Sequence, residues 1–328
     1  MPADTTTPIA PGPFRRMWNW LPDRVDRRVV VAAWANLVMQ IVIVGTGGLV
    51  RLTGSGLGCP EWPYCTGDSL VPTQAMGIHG LIEFGNRTLT GVLVIVALVA
   101  FLFVVRIGRR DLTVLALSVG IGIIVQAVVG GIIVLLKLPP SVVGIHFLIS
   151  ATLVVLATGL VCRVHAQPGP RVRAVPAWYA VTVRVTGAVV AVTVAIGILL
   201  TGSGPHAGDD IAARNGLDPI LWQHVHSWPA YATFALTVVL FAGSWRTAPA
   251  LRLRLWTGLL LAVELVQIGV GLWQARTGLP ILLVNIHMVL AVLVVSAMTA
   301  VVMHITAPAP TIADPALDPS EQTAGSLS

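Results

Sequence analysis

Eight runs of about 20 apolar residues divide this chain, the length an α-helix needs to cross the hydrocarbon core of a bilayer. They cover approximately residues 29–50, 80–105, 112–136, 142–163, 178–200, 220–243, 254–274 and 281–304. A backbone in lipid must satisfy its own N–H and C=O groups, so each run is expected to be a helix. With 55% hydrophobic and 10% charged residues, the chain reads as an all-α polytopic membrane protein.

Its basic residues fix an orientation. Of the 20 Lys and Arg, 15 fall on the N-terminal side of the membrane, among them Arg15, Arg16, Arg109, Arg110, Arg171 and Arg173. Only Arg51, Arg87, Lys137, Arg214 and Arg276 fall on or near the other side. Cytoplasmic segments are the basic ones, so both termini are expected in the cytoplasm of a multi-pass cell (plasma) membrane protein. The net charge of +6 needs no nucleic acid to explain it. The polar, Pro-rich start lacks the apolar core and small-residue cleavage site of a signal peptide.

The chain also repeats itself. Val143-Gly-Ile-His146-Phe-Leu returns as Val284-Asn-Ile-His287-Met-Val, and Gln126-Ala-Val-Val-Gly130 as Gln267-Ile-Gly-Val-Gly271, both shifted by 141 residues. Glu83-Phe-Gly-Asn86 falls opposite Gln223-His-Val-His226, shifted by 140, and Thr53-Gly-Ser-Gly56 returns as Thr201-Gly-Ser-Gly204, shifted by 148. The expected architecture is two tandem four-helix bundles related by a pseudo-twofold duplication. Residues 1–28 form an N-terminal arm read as disordered, 29–165 the first bundle and 166–177 a polar linker. Residues 178–305 form the second bundle, and the Pro/Ala/Thr/Asp-rich residues 306–328 a disordered tail.

Ionisable residues inside a membrane are costly and mark function by default. His146, His226 and His287 each lie about a turn inside the outer end of an even-numbered helix. Facing histidines on neighbouring helices of a bundle hold heme iron from both sides. A structural zinc site would want four close ligands, usually with Cys, and a dinuclear carboxylate site more bundle-facing Glu than Glu83 and Glu264. In the second half His226 and His287 complete a pair. His224 is a rival, but only His226 stands at the position equivalent to Asn86.

The first half differs. It offers His146, but Glu83, Asn86 and Arg87 where the duplicate has Gln223, His226 and Ser227. His79 lies one turn outward of Glu83, on its face of the helix. A buried carboxylate suits proton transfer or the steadying of a cationic intermediate, whereas Glu264 reads as helix packing. Arg51 and Arg214, in Gly-rich outer loops, are candidates to pair with propionates or simply to snorkel. Cys59 and Cys65 share the first outer loop and are a disulfide candidate, either redox-active or structural. Cys162 reads as inert packing.

Taken together, Gly48-Leu-Val-Arg51-Leu-Thr-Gly-Ser-Gly-Leu-Gly-Cys59-Pro-Glu-Trp-Pro, Ile82-Glu83-Phe-Gly-Asn86-Arg87 and Thr201-Gly-Ser-Gly-Pro-His206-Ala-Gly-Asp209 resemble the heme A synthase family over roughly residues 30–305. The resemblance implies oxidation of the C8 methyl of heme O to a formyl group by successive hydroxylation. It further implies a heme b cofactor on His226 and His287, and a substrate heme held by His146 beside catalytic Glu83. Asn86, Arg87, His79 and Arg51 belong to that substrate site, and the family's loop cysteine pair matches Cys59 and Cys65. Heme O would come from the enzyme that makes it, and heme A would pass to cytochrome oxidase assembly factors. An association with either, and a homo-oligomer, stay open.

One departure stands out: helix two of the family usually reads Glu-x-x-His-Arg, and here Asn86 replaces the His. The substrate iron would then be five-coordinate through His146, gain His79 from a turn away, or face a group hydrogen-bonded by Asn86. The alternative function is a membrane b-type cytochrome carrying electrons between quinol and an outer acceptor. A wire of that kind wants hemes at two depths, whereas these histidines share one. A duplicated transporter would show broken helices paired between halves, which the sequence lacks.

Overall fold

A computed structural model of the chain describes residues 12–247 and 251–309. Eight long helices take up the eight apolar runs: α2 (Arg27–Leu52), α3 (Gly77–Val105), α4 (Arg110–Leu135), α5 (Pro140–Val164), α6 (Ala177–Ser203), α7 (Pro219–Thr247), α8 (Leu251–Arg276) and α9 (Ile281–His304). Each is long and apolar enough to cross a membrane. At about 1.5 Å per residue they measure roughly 36–44 Å, longer than the ~30 Å hydrocarbon core. Their outward faces expose residues such as Ile95, Ile124, Leu259 and Leu265, a surface suited to lipid rather than water.

Local chemistry sets the helix ends. The Asp26 carboxylate accepts from the Arg28 and Val29 amides at 2.9 and 3.2 Å, capping α2, an arrangement worth about 1 kcal/mol. Pro139–Pro140 and Pro280 open α5 and α9, where a missing amide costs nothing. The residues just before them, Leu138 and Leu279, both have positive φ, 61° and 59°. A non-glycine there costs on the order of 1 kcal/mol, offset at Leu138 by burial and at Leu279 by a carbonyl bonded to His206 Nε2 at 3.0 Å.

α2 packs on α3 and α5, α3 on α4, and α4 on α5; α6 to α9 have the same neighbour pattern. The two groups meet where α2 and α5 pack on α9, with a buried Thr158–Ser296 hydroxyl bond of 2.8 Å in the seam. The buried faces correspond position by position. Leu93, Ala97, Ala100 and Val104 of α3 stand opposite Thr233, Thr237, Leu240 and Ser244 of α7, a shift of 140. Leu112, Ala116, Val119 and Ile123 of α4 stand opposite Leu253, Thr257, Leu260 and Glu264 of α8, a shift of 141. Below, the side carrying the Cys59–Cys65 loop is the loop face and the opposite side the termini face.

Two segments read as disordered contain structure. In the N-terminal arm, Pro13–Trp20 forms helix α1. Arg106 ties it down by donating to the carbonyls of Trp18 and Leu21, and the Trp20 ring meets Phe103 edge-on at 5.9 Å. At the start of the tail, Thr306–Pro308 (β2) pairs antiparallel with Arg171–Arg173 (β1) of the linker. Arg171 adds bonds to Thr306 Oγ1 and O at 3.0 and 2.7 Å. Both segments sit beside a helix end whose arginine or backbone groups need partners, which composition does not reveal. Residues 1–11 and 310–328, the rest of the arm and tail, lie outside the described residues.

Candidate functional site

The second group of helices brings His226 of α7 and His287 of α9 together, ring centroids 6.4 Å apart and planes at 70°. Each ring has a buried Nδ1 with no hydrogen-bond partner among the described residues, a costly state for a polar atom unless something binds there. One metal ion bonded to a nitrogen of each ring, at about 2 Å per bond with each ring centre about 1 Å beyond, puts the centres roughly 6 Å apart. His224 is turned away: its Nδ1 bonds the Ile220 carbonyl at 2.8 Å on the exposed side of α7.

The flanking helices are cut to fit these rings. A Cβ on Gly197 of α6 would lie 3.0 Å from His226 Cε1, and one on Gly271 of α8 would lie 3.0 Å from His287 Cε1. Gln267 of α8 donates to the His287 carbonyl at 3.2 Å. The first half repeats this around His146 of α5. Gln126 donates to the His146 carbonyl at 3.0 Å, a Cβ on Gly130 would lie 3.5 Å from His146 Cε1, and His146 Nδ1 is likewise buried without a partner among the described residues. The repeated Gln-x-x-x-Gly, visible in sequence only as a marker of register, therefore seats and clears a histidine in each half. His146 and His287 lie equally deep, six residues into helices that begin at 140 and 281.

Opposite His146 there is no second histidine. Asn86 of α3 accepts from Thr46 Oγ1 at 2.8 Å, so its remaining amide N–H groups are donors, unable to ligate a metal. His79 does not reach inward. It is exposed, with Nδ1 2.9 Å from Ser55 Oγ, and lines a loop-face cleft of about 510 Å³ with Thr53, Met76, Asp209 and Asp210. That cleft is separate from the inner histidines.

Glu83 and Arg87 anchor the first loop. Cys59 and Cys65 are joined in a disulfide, Cα atoms 4.4 Å apart. Glu83 Oε2 accepts from the Cys59 amide at 2.7 Å and Oε1 from Arg87 at 2.6 Å. Arg87 also donates to the carbonyls of Cys59, Glu61 and Tyr64, each at 3.0 Å. The loop reaches over α4, where the Trp62 indole lies against Gly131 too closely for any Cβ there. Gly131 adjoins Gly130, the residue beneath His146. Carboxylate, guanidinium, disulfide and Trp62 thus form one lid on the His146 side, a connection sequence does not display because the contacts bridge three separate segments.

Arg51 is spent elsewhere: it donates to the carbonyls of His206 and Thr201 at 2.9 and 3.0 Å, tying the loop-face segments of the two halves together. Arg214 likewise donates to Ala212 and Pro205. Both serve loop closure in this arrangement. Among the described residues no group of three or more His, Cys, Asp or Glu could hold a metal ion, so an ion between His226 and His287 must bring its other donors with it.

Against known proteins, the chain is similar to proteins named heme A synthase. It is 33% identical over 131 residues to that of Listeria welshimeri, covering 37% of this chain and 42% of the relative. It is 31% identical over 87 residues to that of Geobacillus kaustophilus, covering 26% of each, and 30% identical over 88 residues to that of Geobacillus thermodenitrificans, covering 27% of each. The matched stretches span about a quarter to two-fifths of these curated relatives. The profile of the cytochrome oxidase assembly proteins, COX15-CtaA, matches far more, residues 31–299, taking in all eight membrane-length helices and both histidine sites: the chain belongs to that family.

Proposed function

We propose that this chain is a heme A synthase, an oxidoreductase of the cell membrane that converts the C8 methyl of heme O to a formyl group by successive hydroxylation. The observation that carries the reading is the asymmetry of two otherwise matching sites. One has two histidines at metal-bridging distance; the other has one histidine, a donor amide and a charged lid. His226 and His287 would hold heme b, whose porphyrin supplies the four donors the protein lacks. When bound there, heme b provides a one-electron redox centre.

In the first half His146 would hold the iron of the substrate heme O. Asn86 stands at the position corresponding to His226, with its oxygen taken by Thr46 and only N–H donors left, which fits a substrate bound through a single protein ligand. Glu83, charge-balanced by Arg87, would move protons as the methyl is oxidised, and the Trp62 lid would keep water from the site. The basic segments on the termini face support a cytoplasmic location for that face. Heme O would reach the site from the enzyme that produces it.

The test is heme extraction from membranes that co-express the chain with a heme O-producing enzyme, with chromatographic separation and identification by mass. Heme A, lost when His146 is replaced by Ala, is the expected result. Heme b alone, despite ample heme O, would overturn the reading in favour of a b-type cytochrome.

A further inference from the structure

The interiors of the two halves differ in one systematic way. Leu93, Ala97, Val104, Ala116 and Ile123 line the first half, and the corresponding positions of the second are Thr233, Thr237, Ser244, Thr257 and Glu264. Every one of these is buried. Five apolar positions have become five polar ones, all on facing surfaces of α7 and α8. Helix packing alone does not require this, since the first half packs the same positions without a polar atom.

Glu264 is the centre of the set. It is 4% exposed. Its Oε1 accepts from Thr237 Oγ1 at 2.9 Å, while Oε2 is buried with no partner among the described residues. Such a group is expensive in a membrane interior and needs a use. One turn toward the loop face on α8 is Gln267, bonded to His287. Toward the termini face come Thr237, Thr257 and Ser244, the last bonded through its carbonyl to Arg254 at 3.3 Å. From helix rise Ser244, Thr257, Thr237 and Glu264 stand at depths of roughly 5, 9, 15 and 20 Å from the helix ends, and the last step, from Thr237 to Glu264, is a direct hydrogen bond.

We infer that Glu264 is a proton-loading site for the second half, filled from the termini face along the Ser244–Thr257–Thr237 column. This rests on the reading that His226 and His287 hold a redox heme. With a heme held by His226 and His287, uptake of one electron from a one-electron reductant would remove one positive charge from the site, and Glu264 Oε2 would take one proton from termini-side water. Return of that electron to a one-electron oxidant would release the proton. Among the described residues one other buried titratable group faces the column: Tyr179 of α6, whose hydroxyl already donates to the Leu240 carbonyl of α7 at 3.1 Å. On α7, between His226 and Arg246, there is only the exposed Tyr231, and on α9, between His287 and His304, there is none. On α8 the nearest are Arg254 and Arg276 near its two ends.

The experiment uses the full-length, heme-loaded protein with dithionite as reductant. Potentiometric titration should give a midpoint that falls with rising pH, by at most about 59 mV per unit for one proton per electron, and that becomes pH-independent in Glu264→Gln. The reduced-minus-oxidised infrared spectrum of the unmutated protein should contain a carboxylic-acid carbonyl band, absent in Glu264→Gln and shifted in Thr237→Val. A pH-independent midpoint in the unmutated protein, absence of that band, or its survival in Glu264→Gln would overturn the inference even if the variants fold poorly. Failure of the underlying heme reading looks different: no Soret band, or a heme b content that is undiminished when His226 and His287 are replaced together, overturns both.

Discussion

Replacing Glu83 in two ways separates its two jobs. Its carboxylate holds the Cys59 amide at 2.7 Å and Arg87 at 2.6 Å, with side chains only 6% and 22% exposed. Glu83→Ala strands a buried amide and one arm of a guanidinium. A stranded amide costs about 1–3 kcal/mol and a broken buried pair about 3–5 kcal/mol. Arg87 keeps three carbonyl partners, so we expect about 3–4 kcal/mol against docking of the loop. Glu83→Gln keeps one acceptor and should cost about 2 kcal/mol, a ~30-fold weaker docking that still leaves a stable lid mostly closed. Hydrogen exchange across residues 59–69 reads the docking, and conversion of heme O, followed by chromatography, reads the chemistry. If Glu83 moves protons, Glu83→Gln should lose at least 10²-fold in rate while the Cys59 amide stays protected. Retention of activity within tenfold, with the loop docked, would refute the proton-transfer role and leave Glu83 an anchor.

Other outcomes follow from the same contacts. Gly271→Ala places a Cβ 3.0 Å from His287 Cε1, whereas Gly130→Ala places one at an ordinary 3.5 Å from His146 Cε1. Overpacking of about 1–3 kcal/mol should therefore cut heme b content in the first variant and leave the second near normal, as read by pyridine hemochrome assay. Cys65→Ser should loosen the six-residue loop by about 2 kcal/mol, yet leave the Cys59 amide slow to exchange because Arg87 still grips three carbonyls. Arg87→Met, with the disulfide intact, should expose the loop more than Cys65→Ser does; equal or lesser exposure in hydrogen exchange would contradict the anchor.

The fold was legible because lipid leaves few options: eight apolar runs of crossing length become eight helices, and repeated sequence shifts reappear as repeated buried positions. The histidines were legible for a related reason, since a polar ring deep in an apolar helix stands out. Sequence was silent where function depends on what a side chain touches across the fold. Arg51 stands in a Gly-rich loop as an anion ligand would, yet its donors go to His206 and Thr201. His79 shares a helix face with Glu83, but hydrogen-bonds Ser55 at the surface. Trp62 reads as loop filler until Gly131 is seen beneath it.

Glu264 shows the opposite case, in which the signal was present but its weight was not. Taken alone, one carboxyl on an apolar helix reads as packing. Set beside Ile123 at the corresponding place, and with Thr237, Thr257 and Ser244 beside Ala97, Ala116 and Val104, it belongs to a coordinated change along a single internal surface. The four hydroxyls, Thr233 included, each donate a hydrogen bond, so the cost of burying the set falls on Glu264 Oε2, which has no partner among the described residues. The half with the single histidine places its buried charged pair, Glu83 and Arg87, at the loop face. The half with the paired histidines extends its polar chemistry inward, toward the termini face. If electrons pass between two such sites, the protons that balance them need an acceptor that lipid cannot supply, and the column that ends at Glu264 Oε2 offers one.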